Sequence, residues 1–443
     1  MDVFNAFSGL VADTFFKADP KKSDVKIYFE SISKTLTETK NKLGEKLGSS
    51  AGKGENSSSG KASVKSAVES AVDEVSKWLE EMITAAGEAA KGGDGGGADK
   101  IGDADNNKGA KADASSVKEI ANGIKGIVDA AGKAFGGDAL KDVAAAAENE
   151  ANKDAGKLFA GNAAGAAAAD IAKAAGAVTA VSGEQILKAI VEAAGDADQA
   201  GAAAGAATNP IEAAIGTDDD GAEFGDDMKK RNDKIAAAIV LRGVAKGGKF
   251  AAADAADSKA SVKSAVESAV DEVSKWLEEM ITAAGEAAKV GDGGADKIGD
   301  SDNNKGAVAD KDSVKGIANG IKGIVDAAGK AFGKDGKDGN ALKDVAAAAA
   351  DDAAGANANA GKLFAGNDGN AAAAEIAKAA AAVTAVSGEQ ILKAIVEAAG
   401  DAAANQAGVK AADAKNPIEA AIGTNEAGAD FGNGMKKNDK IAA

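Results

Sequence analysis

Residues 243–250, which read GVAKGGKF, have the glycine and lysine spacing of a phosphate-binding P-loop up to its last position. At that position a Ser or Thr hydroxyl must coordinate Mg²⁺, and Phe250 has no such group. The segment also follows a run with helical periodicity, whereas a P-loop follows a strand. We therefore interpret residues 243–250 as the glycine-rich end of a helix, with Phe250 anchoring the chain as it leaves.

Residues 103–107, which read DADNN, place oxygen ligands at the spacing with which an EF-hand calcium loop opens, and residues 300–304 repeat the pattern as DSDNN. The turn position that requires glycine holds lysine in both copies, and the position of the bidentate glutamate holds no acid. The pattern therefore indicates a solvated acidic loop. We interpret the acidic run at residues 218–220 as a loop as well.

The chain of 443 residues contains no Cys and no His. These absences exclude thiol nucleophiles, imidazole bases, thiolate or imidazole zinc ligands and disulfide bonds. Carboxylates are abundant, but paired acids such as Glu69 and Asp73 need a cleft before they can act in catalysis. We therefore predict that the protein is not an enzyme, that it has no catalytic, cofactor-binding or metal-binding residues, and that it uses no cofactor.

The charge balance limits the partners of the protein. Its 52 Lys and Arg against 69 Asp and Glu give a net charge of −17 at pH 7, which repels nucleic-acid phosphates and anionic lipid head groups. The longest strongly apolar run is residues 235–241, and a membrane-spanning helix needs about twenty residues. The N-terminus lacks the basic and apolar regions of a signal peptide, so the sequence taken alone predicts a soluble chain that binds no nucleic acid.

Most of the sequence occurs twice. Residues 61–91 recur unchanged as residues 259–289, an offset of 198 that shifts to between 197 and 207 in later blocks. The second copy stops within the block that covers residues 228–250 in the first. The sequence therefore predicts a single-copy N-terminal helical segment at residues 1–60, a first unit at 61–257, and a second unit, truncated at its C-terminus, at 258–443.

The changes in offset identify segments that differ in length or composition between the copies. They are residues 136–138, which face 333–340, and residues 148–155 and 199–207, all rich in Gly, Asp, Asn and Ala. Solvated loops accept such changes because their closure entropy grows slowly with length. We therefore expect surface loops here, and packed elements in the matched blocks that carry Val, Ile, Leu, Phe and Trp.

The matched blocks have helical periodicity. One apolar stripe has the spacing of a single amphipathic helix: Val64, Val68, Val72, Val75, Leu79 and Met82. Residues 1–60 contain a similar stripe that begins at Val25 and Tyr28. Alternating β-branched runs are nearly absent, so at most a few short strands are expected.

Three helix starts carry sequence signals for capping. Ser116-x-x-Glu119 and Ser182-x-x-Gln185 are typical of capping boxes, and residues 209–212, which read NPIE, combine a capping residue with proline at the first helical position. The predicted fold class is all-α: a multi-helix, bundle-like domain whose unit is present twice, with few or no short strands.

Several blocks, in the same order, resemble the variable large protein and VlsE family of borrelial surface lipoproteins. The resemblance covers nearly the whole chain, and fixed segments alternating with variable ones are the pattern of that family. The matching blocks are residues 19–29 (DPKKSDVKIYF), 116–136 (SVKEIANGIKGIVDAAGKAFG), 177–194 (AVTAVSGEQILKAIVEAA), 209–216 (NPIEAAIG) and 228–250.

The resemblance implies a helical domain held on the cell surface, at the outer membrane, by an N-terminal lipid, with its variable loops at the distal face. It also implies antigenic variation by cassette switching, and it identifies residues 228–250 with a fixed, largely buried helix. The cysteine that accepts the lipid is absent from this sequence. Two cassette units stand where the family has one, which suggests fused cassettes.

Three functions are compatible with these observations. The leading hypothesis is a non-catalytic surface antigen of a spirochaete that evades host antibodies, its expected partners. The alternative is an adhesin or complement-regulator-binding module that presents one fixed helical surface to host serum or matrix proteins. An enzyme is a distant third. Contact with a membrane is expected only through the lipid anchor.

Overall fold

The computed structural model describes residues 20–48, 59–134, 140, 143–162, 165–195, 199–252, 256–290, 306–331, 342, 345, 346, 348, 357–366, 371–401 and 407–443. The helices up to residue 252 are α1 (Lys22–Gly48), α2 (Ser59–Gly92), α3 (Ala114–Ala134), α4 (Ala168–Thr179), α5 (Gly183–Ala194), α6 (Pro210–Ile215) and α7 (Asn232–Val244). Those that follow are α8 (Ala256–Val290), α9 (Lys311–Ala331), α10 (Ala373–Thr384), α11 (Gly388–Gly400), α12 (Pro417–Ile422) and α13 (Asn438–Ala442). Two 3₁₀ helices are η1 (Glu150–Phe159) and η2 (Ala358–Phe364). The all-α prediction is confirmed.

Two short strands, β1 (Ala104–Asn106) and β2 (Phe250–Ala252), pair in parallel, with Ala104 opposite Phe250. The interpretation of residues 103–107 as a solvated loop is therefore wrong. The local composition favours a loop. The segment forms a strand because β2, which is buried throughout, pairs with it through backbone hydrogen bonds that so short a segment cannot make internally. The repeat at residues 300–304 lies outside the described residues.

Helix α7 lies at the centre of the first unit. Every residue from 235 to 245 is buried, and α3, α4, α5, α6 and α8 surround the helix. A helix that is apolar all round is stable only when it is enclosed in this way. The N-terminal segment joins the same core, because α1 buries Val25, Tyr28, Phe29, Ile32 and Leu36 there.

The predicted apolar stripe of the repeated 61–91 block forms a helix in both copies. In α2, Leu79 and Met82 pack against the core, and the side chains of the earlier stripe residues lie outside the described set. In α8 the corresponding residues Val262, Val266, Val270 and Val273 are buried. The periodicity therefore predicted the helix correctly, whereas the core that it packs against is a finding of the structure.

That core is the one formed by the first copy. The N-terminal half of α8 packs against α4, α5 and α7, although its sequence opens the second copy. Conversely, α2 of the first copy packs against α10 of the second. Packing therefore crosses the boundary predicted at residue 257, and the boundary itself stays a prediction.

The predicted capping box at Ser116-x-x-Glu119 is wrong. Helix α3 begins two residues earlier, and the carboxylate of Asp113 accepts a hydrogen bond from Ser116 N at 2.8 Å. In the second copy Asp310 caps α9 in the same way, accepting from Ser313 N at 2.7 Å. Hydrogen bonds from the side chain and then from the backbone of Ser313 lower the pKa of Asp310. An aspartate three residues before the serine is the better cap because its charge also interacts with the helix dipole.

The other two predicted caps are confirmed. Ser182 N donates to Gln185 Oε1 at 3.2 Å at the start of α5. Asn209 Oδ1 accepts from Glu212 N at 3.0 Å at the start of α6, with proline at the first helical position. Both arrangements recur in the second copy.

The segments that differ between the copies are less solvated than expected. Residues 148–155 run into η1, and both this segment and residues 199–207 contribute small or polar side chains to the interior. The counterparts of their three buried alanines are buried in the second copy too. The buried residues are Asn152, Ala155, Gln199, Ala204 and Ala207. Segments 136–138 and 333–340 lie outside the described residues. Small residues are needed in these loops because their backbone passes close to neighbouring backbone, as at Gly201, where an added Cβ would overlap Gly216 O.

Identical helices are buried to different degrees in the two units. Ile186 and Leu187 in α5 are fully buried, whereas the same side chains in α11, Ile391 and Leu392, are half-buried. Helix α7 packs against α5, and α13 packs against α11. The exposure therefore follows from which neighbour is present and not from the helix sequence.

Among the described residues, no single helix is long and apolar enough to cross a membrane. Helices α10 and α11 pass the length and hydropathy criteria only as a pair, and they are bent by 99°.

We expect Gly243→Ala to destabilise the first unit, although alanine favours helix by about 1 kcal/mol over glycine. A Cβ at this position of α7 overlaps Val266 Cγ1 of α8, and overpacking costs about 1–3 kcal/mol. In a Val266→Ala background the same change should become neutral or stabilising. Gly87→Ala is the matched control, because nothing lies within 4 Å of the added Cβ. Additive effects in denaturant unfolding of the four-member cycle would show that α7 and α8 do not touch.

We expect Ile186→Ala to cost about 3 kcal/mol and Ile391→Ala about 1 kcal/mol, since the loss scales with the cavity and the apolar area buried. The two substitutions remove the same atoms from the same helix sequence. Hydrogen exchange of the amides of α5 and α11 measures each loss within its own unit. Equal losses at the two positions would contradict the difference in burial.

Candidate functional site

The P-loop-like segment forms the turn that follows α7. Residues 245–249, here called the closing turn, leave the helix at Ala245 and reverse direction through Gly247, whose φ is +74°. Phe250 is then fully buried in β2. Carbonyl groups of this turn face two buried cations, whereas a phosphate site needs amide N–H groups there. The interpretation as a glycine-rich helix end anchored by Phe250 is confirmed.

Arg242 is the first of these cations, and its side chain is fully buried. Its Nε donates to Lys249 O at 3.1 Å, Nη1 to Ala214 O at 3.3 Å and Nη2 to Ala110 O at 2.8 Å. Burial lowers the pKa of Arg242 to about 9, so it remains charged at pH 7. One guanidinium therefore joins the closing turn, the end of α6 and the segment before α3.

The aromatic rings beside Arg242 complete its environment. Its guanidinium carbon lies 5.3 Å from the ring centre of Phe159 and 6.0 Å from that of Phe250. Phe159 also packs edge-on against Phe224, with ring centres 5.3 Å apart. A cation over ring faces in a desolvated site gains on the order of 2 kcal/mol, so the rings offset part of the cost of burying the charge.

Lys22, the second cation, belongs to α1 and is also fully buried. Its Nζ donates to Ala245 O at 2.7 Å and to Gly248 O. Burial lowers the pKa of Lys22 to about 8, and the negative charge of Asp99 opposes this shift. The first turn of α1 is thereby fixed to the closing turn, more than 220 residues further along the chain.

Two further side chains hold the closing turn in place. Ser116 Oγ donates to Gly92 O at 2.5 Å and accepts from Lys246 N at 3.0 Å, so it joins α2, α3 and the turn. Lys249 Nζ lies 3.4 Å from Asp103 Oδ2 and 3.6 Å from Asp105 Oδ2 in β1. The acidic segment thus neutralises a lysine of the turn.

The arrangement is structural and not catalytic. Both cations donate to main-chain oxygens of surrounding segments, and these bonds hold the segments together. Among the described residues, no group of three or more Asp or Glu side chains could hold a metal ion. A shallow cleft of about 320 Å³ between α1 and α2 is lined by charged side chains, among them Lys26, Glu30 and Asp94.

Sequence reasoning missed the buried cations. The available signal was a basic residue inside the apolar run that starts at residue 235, where Arg242 interrupts a helix that is otherwise apolar on all sides. No local pattern indicates that Lys22 is buried, because the preceding Lys21 is exposed and Asp24, two positions later, is acidic. Its burial depends on the closing turn, more than 220 positions away in the chain.

A second candidate site is the exposed loop between α6 and α7. Residues 217–228, here called the first display loop, align without gaps with residues 424–435, the second display loop. Six positions differ between the two: 218, 219, 220, 223, 226 and 227. All six are exposed in the first display loop, whereas every unchanged position in it is buried or half-buried.

The unchanged positions attach each loop to its unit. Phe224 N donates to Lys153 O at 3.0 Å, and Phe431 N donates to Ala358 O at 2.8 Å. The ring of Phe431 lies 5.3 Å from that of Phe364, as the corresponding pair does in the first unit. The exposed residues can therefore change without moving the anchors. In the first loop six acids face solvent, and in the second only two acids remain.

Comparison with known proteins identifies a family that matches this architecture. The family model described as Borrelia lipoprotein matches residues 1–284 and again residues 271–443. The overlap of the two matches lies within α8, the helix that begins in the first core. The match therefore covers the chain as two overlapping units.

Individual relatives agree with the family match. Variable large protein 4 of Borrelia hermsii is 36% identical over 295 residues, which cover 64% of this chain and 77% of that protein. Variable large protein 17 of the same organism is 34% identical over 297 residues, 64% of this chain and 76% of that protein. The crystal structure of the Lyme disease variable surface antigen VlsE of Borrelia burgdorferi has 46% sequence identity and a TM-score of 0.52, covering 66% of this chain and 89% of VlsE.

We expect Lys22 to make the protein more stable as the pH rises from 8 to 10.5. The pKa of this side chain is lowered from 10.5 to about 8 by burial, so in this window the unfolded chain holds a proton that the folded chain has released. The free energy of unfolding of the wild type minus that of Lys22→Met should therefore increase with pH, by on the order of 1 kcal/mol per unit. The other titrating groups are the same in both proteins, so their contributions cancel in this difference. Parallel profiles in denaturant titrations would contradict the lowered pKa.

Proposed function

The chain belongs to the Borrelia lipoprotein family, whose members similar to it are variable surface antigens, and we propose that it is a non-catalytic outer-surface antigen that varies its exposed loops to escape host antibodies. Its relatives are surface lipoproteins and not enzymes. The proposed partners are host antibodies, and the proposed location is the outer membrane, through a lipid anchor of the kind found in the family.

One observation carries this proposal: sequence differences between the display loops coincide with exposure. At residues 217–228 each position that reaches solvent has changed between the copies, and each position that contacts the interior has been kept. An adhesin that used a single fixed surface would instead keep exposed residues at its binding face. The pattern favours a surface selected for difference.

The physical basis is a separation between anchoring and display. Phe224 and Met228 are buried and hold the first display loop, while the acids at residues 218–220 project into solvent. The first display loop has six acids and the second has two, so the local net charge differs by four. Charge complementarity affects how fast a partner associates and which partners are excluded. Because binding energy concentrates in a few contacts, a few exchanged residues suffice to lose an antibody.

The test is a transplant of the second display loop onto the first unit of the full chain. The variant carries Asp218→Asn, Asp219→Glu, Asp220→Ala, Glu223→Asp, Asp226→Asn and Asp227→Gly. Antibodies raised against the wild type and competed by a cyclic peptide of residues 217–228 should bind the variant at least about tenfold more weakly, because the charged contacts at the centre of the epitope are lost.

The reciprocal transplant, in which residues 425–434 receive the first loop, is the matched control. The same antibodies should gain a second binding site per chain, and hydrogen exchange of α7 should remain unchanged in both variants. Full binding to the first transplant would show that the antibodies recognise the fixed residues, and it would overturn the proposal in favour of a fixed binding surface.

A further inference from the structure

The chain contains three Asn-Gly pairs, and the structure places them on two kinds of backbone. Asn122 and Asn319, each followed by glycine, lie inside α3 and α9, whereas Asn433 lies in the second display loop. All three asparagines are exposed. A glycine after asparagine leaves its own nitrogen unobstructed, because glycine has no Cβ and its backbone is permissive. The three pairs therefore offer the same chemistry and differ in the freedom of the backbone.

Asn433 and Gly434 are the two central residues of a β-turn. Met435 N donates to Gly432 O at 3.0 Å and closes the turn. Gly434 N donates no hydrogen bond to any residue that the structure describes. This nitrogen is therefore available to react with the neighbouring side-chain amide.

The two helical pairs are held in a form that resists this reaction. Within an α-helix, each interior N–H donates to the carbonyl four residues earlier, so the glycine nitrogen is already engaged. In α3 the backbone is also tightly packed, because a Cβ added to Gly123 would lie 2.4 Å from Ala89 Cβ. The nitrogen of Gly123 can reach the side chain of Asn122 only after the helix opens locally.

The same turn in the first unit shows what an acid does at this position. Met228 N donates to Gly225 O at 3.1 Å, and the central residues Asp226 and Asp227 are exposed although α7 and the closing turn are in place. Asp226 Oδ1 lies 2.7 Å from Lys229 Nζ. Exposure is therefore a property of the turn itself, and the turn accepts an aspartate.

We propose that Asn433 is a site of spontaneous deamidation, which gives the second display loop an additional negative charge without any change in the gene. In the first step Gly434 N attacks Asn433 Cγ. The N–Cγ bond forms, the bond from Cγ to Nδ2 breaks, and ammonia leaves with the proton of the glycine amide. The product is a five-membered succinimide, and neither oxidation nor reduction takes place.

Water, the one co-reactant, opens the succinimide in the second step. Hydrolysis of the bond between Gly434 N and Cγ leaves an aspartate at position 433. Hydrolysis of the bond between the same nitrogen and the main-chain carbonyl carbon leaves an isoaspartate, in which the side-chain carbon has become part of the main chain. In both cases the glycine nitrogen recovers a proton, and one new carboxylate forms.

Both products alter the surface of the second display loop. The aspartate takes the place of Asp226, beside Lys436, the counterpart of the lysine that pairs with Asp226. The isoaspartate adds a main-chain carbon next to Gly434, where an added Cβ would already lie 2.7 Å from Lys415 Cα, so the turn has to shift. The effect on antibodies rests on the proposed function, whereas the deamidation does not.

The test incubates the full chain at neutral pH and follows each Asn-Gly pair by mass spectrometry of tryptic peptides, which begin at Glu119 and Gly316 for the helical pairs. In the folded chain Asn433 should deamidate at least about tenfold faster than Asn122 and Asn319, because local opening of a helix adds to the barrier of the helical pairs. In denaturant all three should react at similar rates, since the helices are then absent.

The matched control is Asn433→Gln, which should keep its amide because the corresponding ring has six members and forms slowly. Gly434 is not substituted, since a side chain there collides with the backbone of Lys415. Equal rates at the three pairs of the folded chain, or no reaction at Asn433, would overturn the proposed site. The folded chain and the denatured chain have the same sequence, so this comparison needs no variant to fold.

Antibody binding is measured on the same samples. Antibodies raised against freshly purified chain and competed by a peptide of residues 424–435 should bind aged wild type at least about tenfold more weakly than fresh wild type, because a few contacts carry most of the binding energy. Aged Asn433→Gln should bind as well as fresh Asn433→Gln. Deamidation with unchanged binding would overturn the effect on display, while the transplant of the first display loop tests the proposed function separately.

Discussion

The structure depends on two buried cations whose charges are satisfied by main-chain oxygens. Arg242 and Lys22 reach the closing turn from different directions, and between them they bind carbonyls at its beginning and its end. An unpaired charge in the interior would be prohibitively costly, so each cation is stable only when every segment that offers it an oxygen is in place. These two cations, here called the clamp, therefore require α1, the segment before α3, α6 and α7 to be in place together.

The clamp places few demands on the side chains at the surface of the first unit. The segments that must be present for the cations contribute backbone atoms, which do not depend on the side chains nearby. Between the display loops, the residues that touch the interior are retained and the residues that reach solvent differ. Anchors such as Phe224 and Phe431 make the same backbone hydrogen bonds in both units. A surface that differs between the units on a retained interior is what the proposed function requires.

Duplication has altered how the helices share their cores. The repeated 61–91 block forms α2 in one copy and α8 in the other, and each packs partly against helices of the opposite copy. The first unit is thereby completed by the opening helix of the second, while α11 of the second unit is covered by the short α13. The same isoleucine and leucine side chains are consequently fully buried in α5 and half-buried in α11.

The sequence by itself determined the local and repeating features of this protein: the all-α class, the duplicated unit, the stripe of α2 and α8, and the caps at Ser182 and Asn209. These follow from periodicity and from hydrogen bonds between residues that are close in sequence, so they can be predicted from the sequence alone. Only the tertiary structure decided that residues 104–106 pair with β2, and that Arg242 and Lys22 are buried. Each of these depends on a partner many residues away, so no local pattern could specify it.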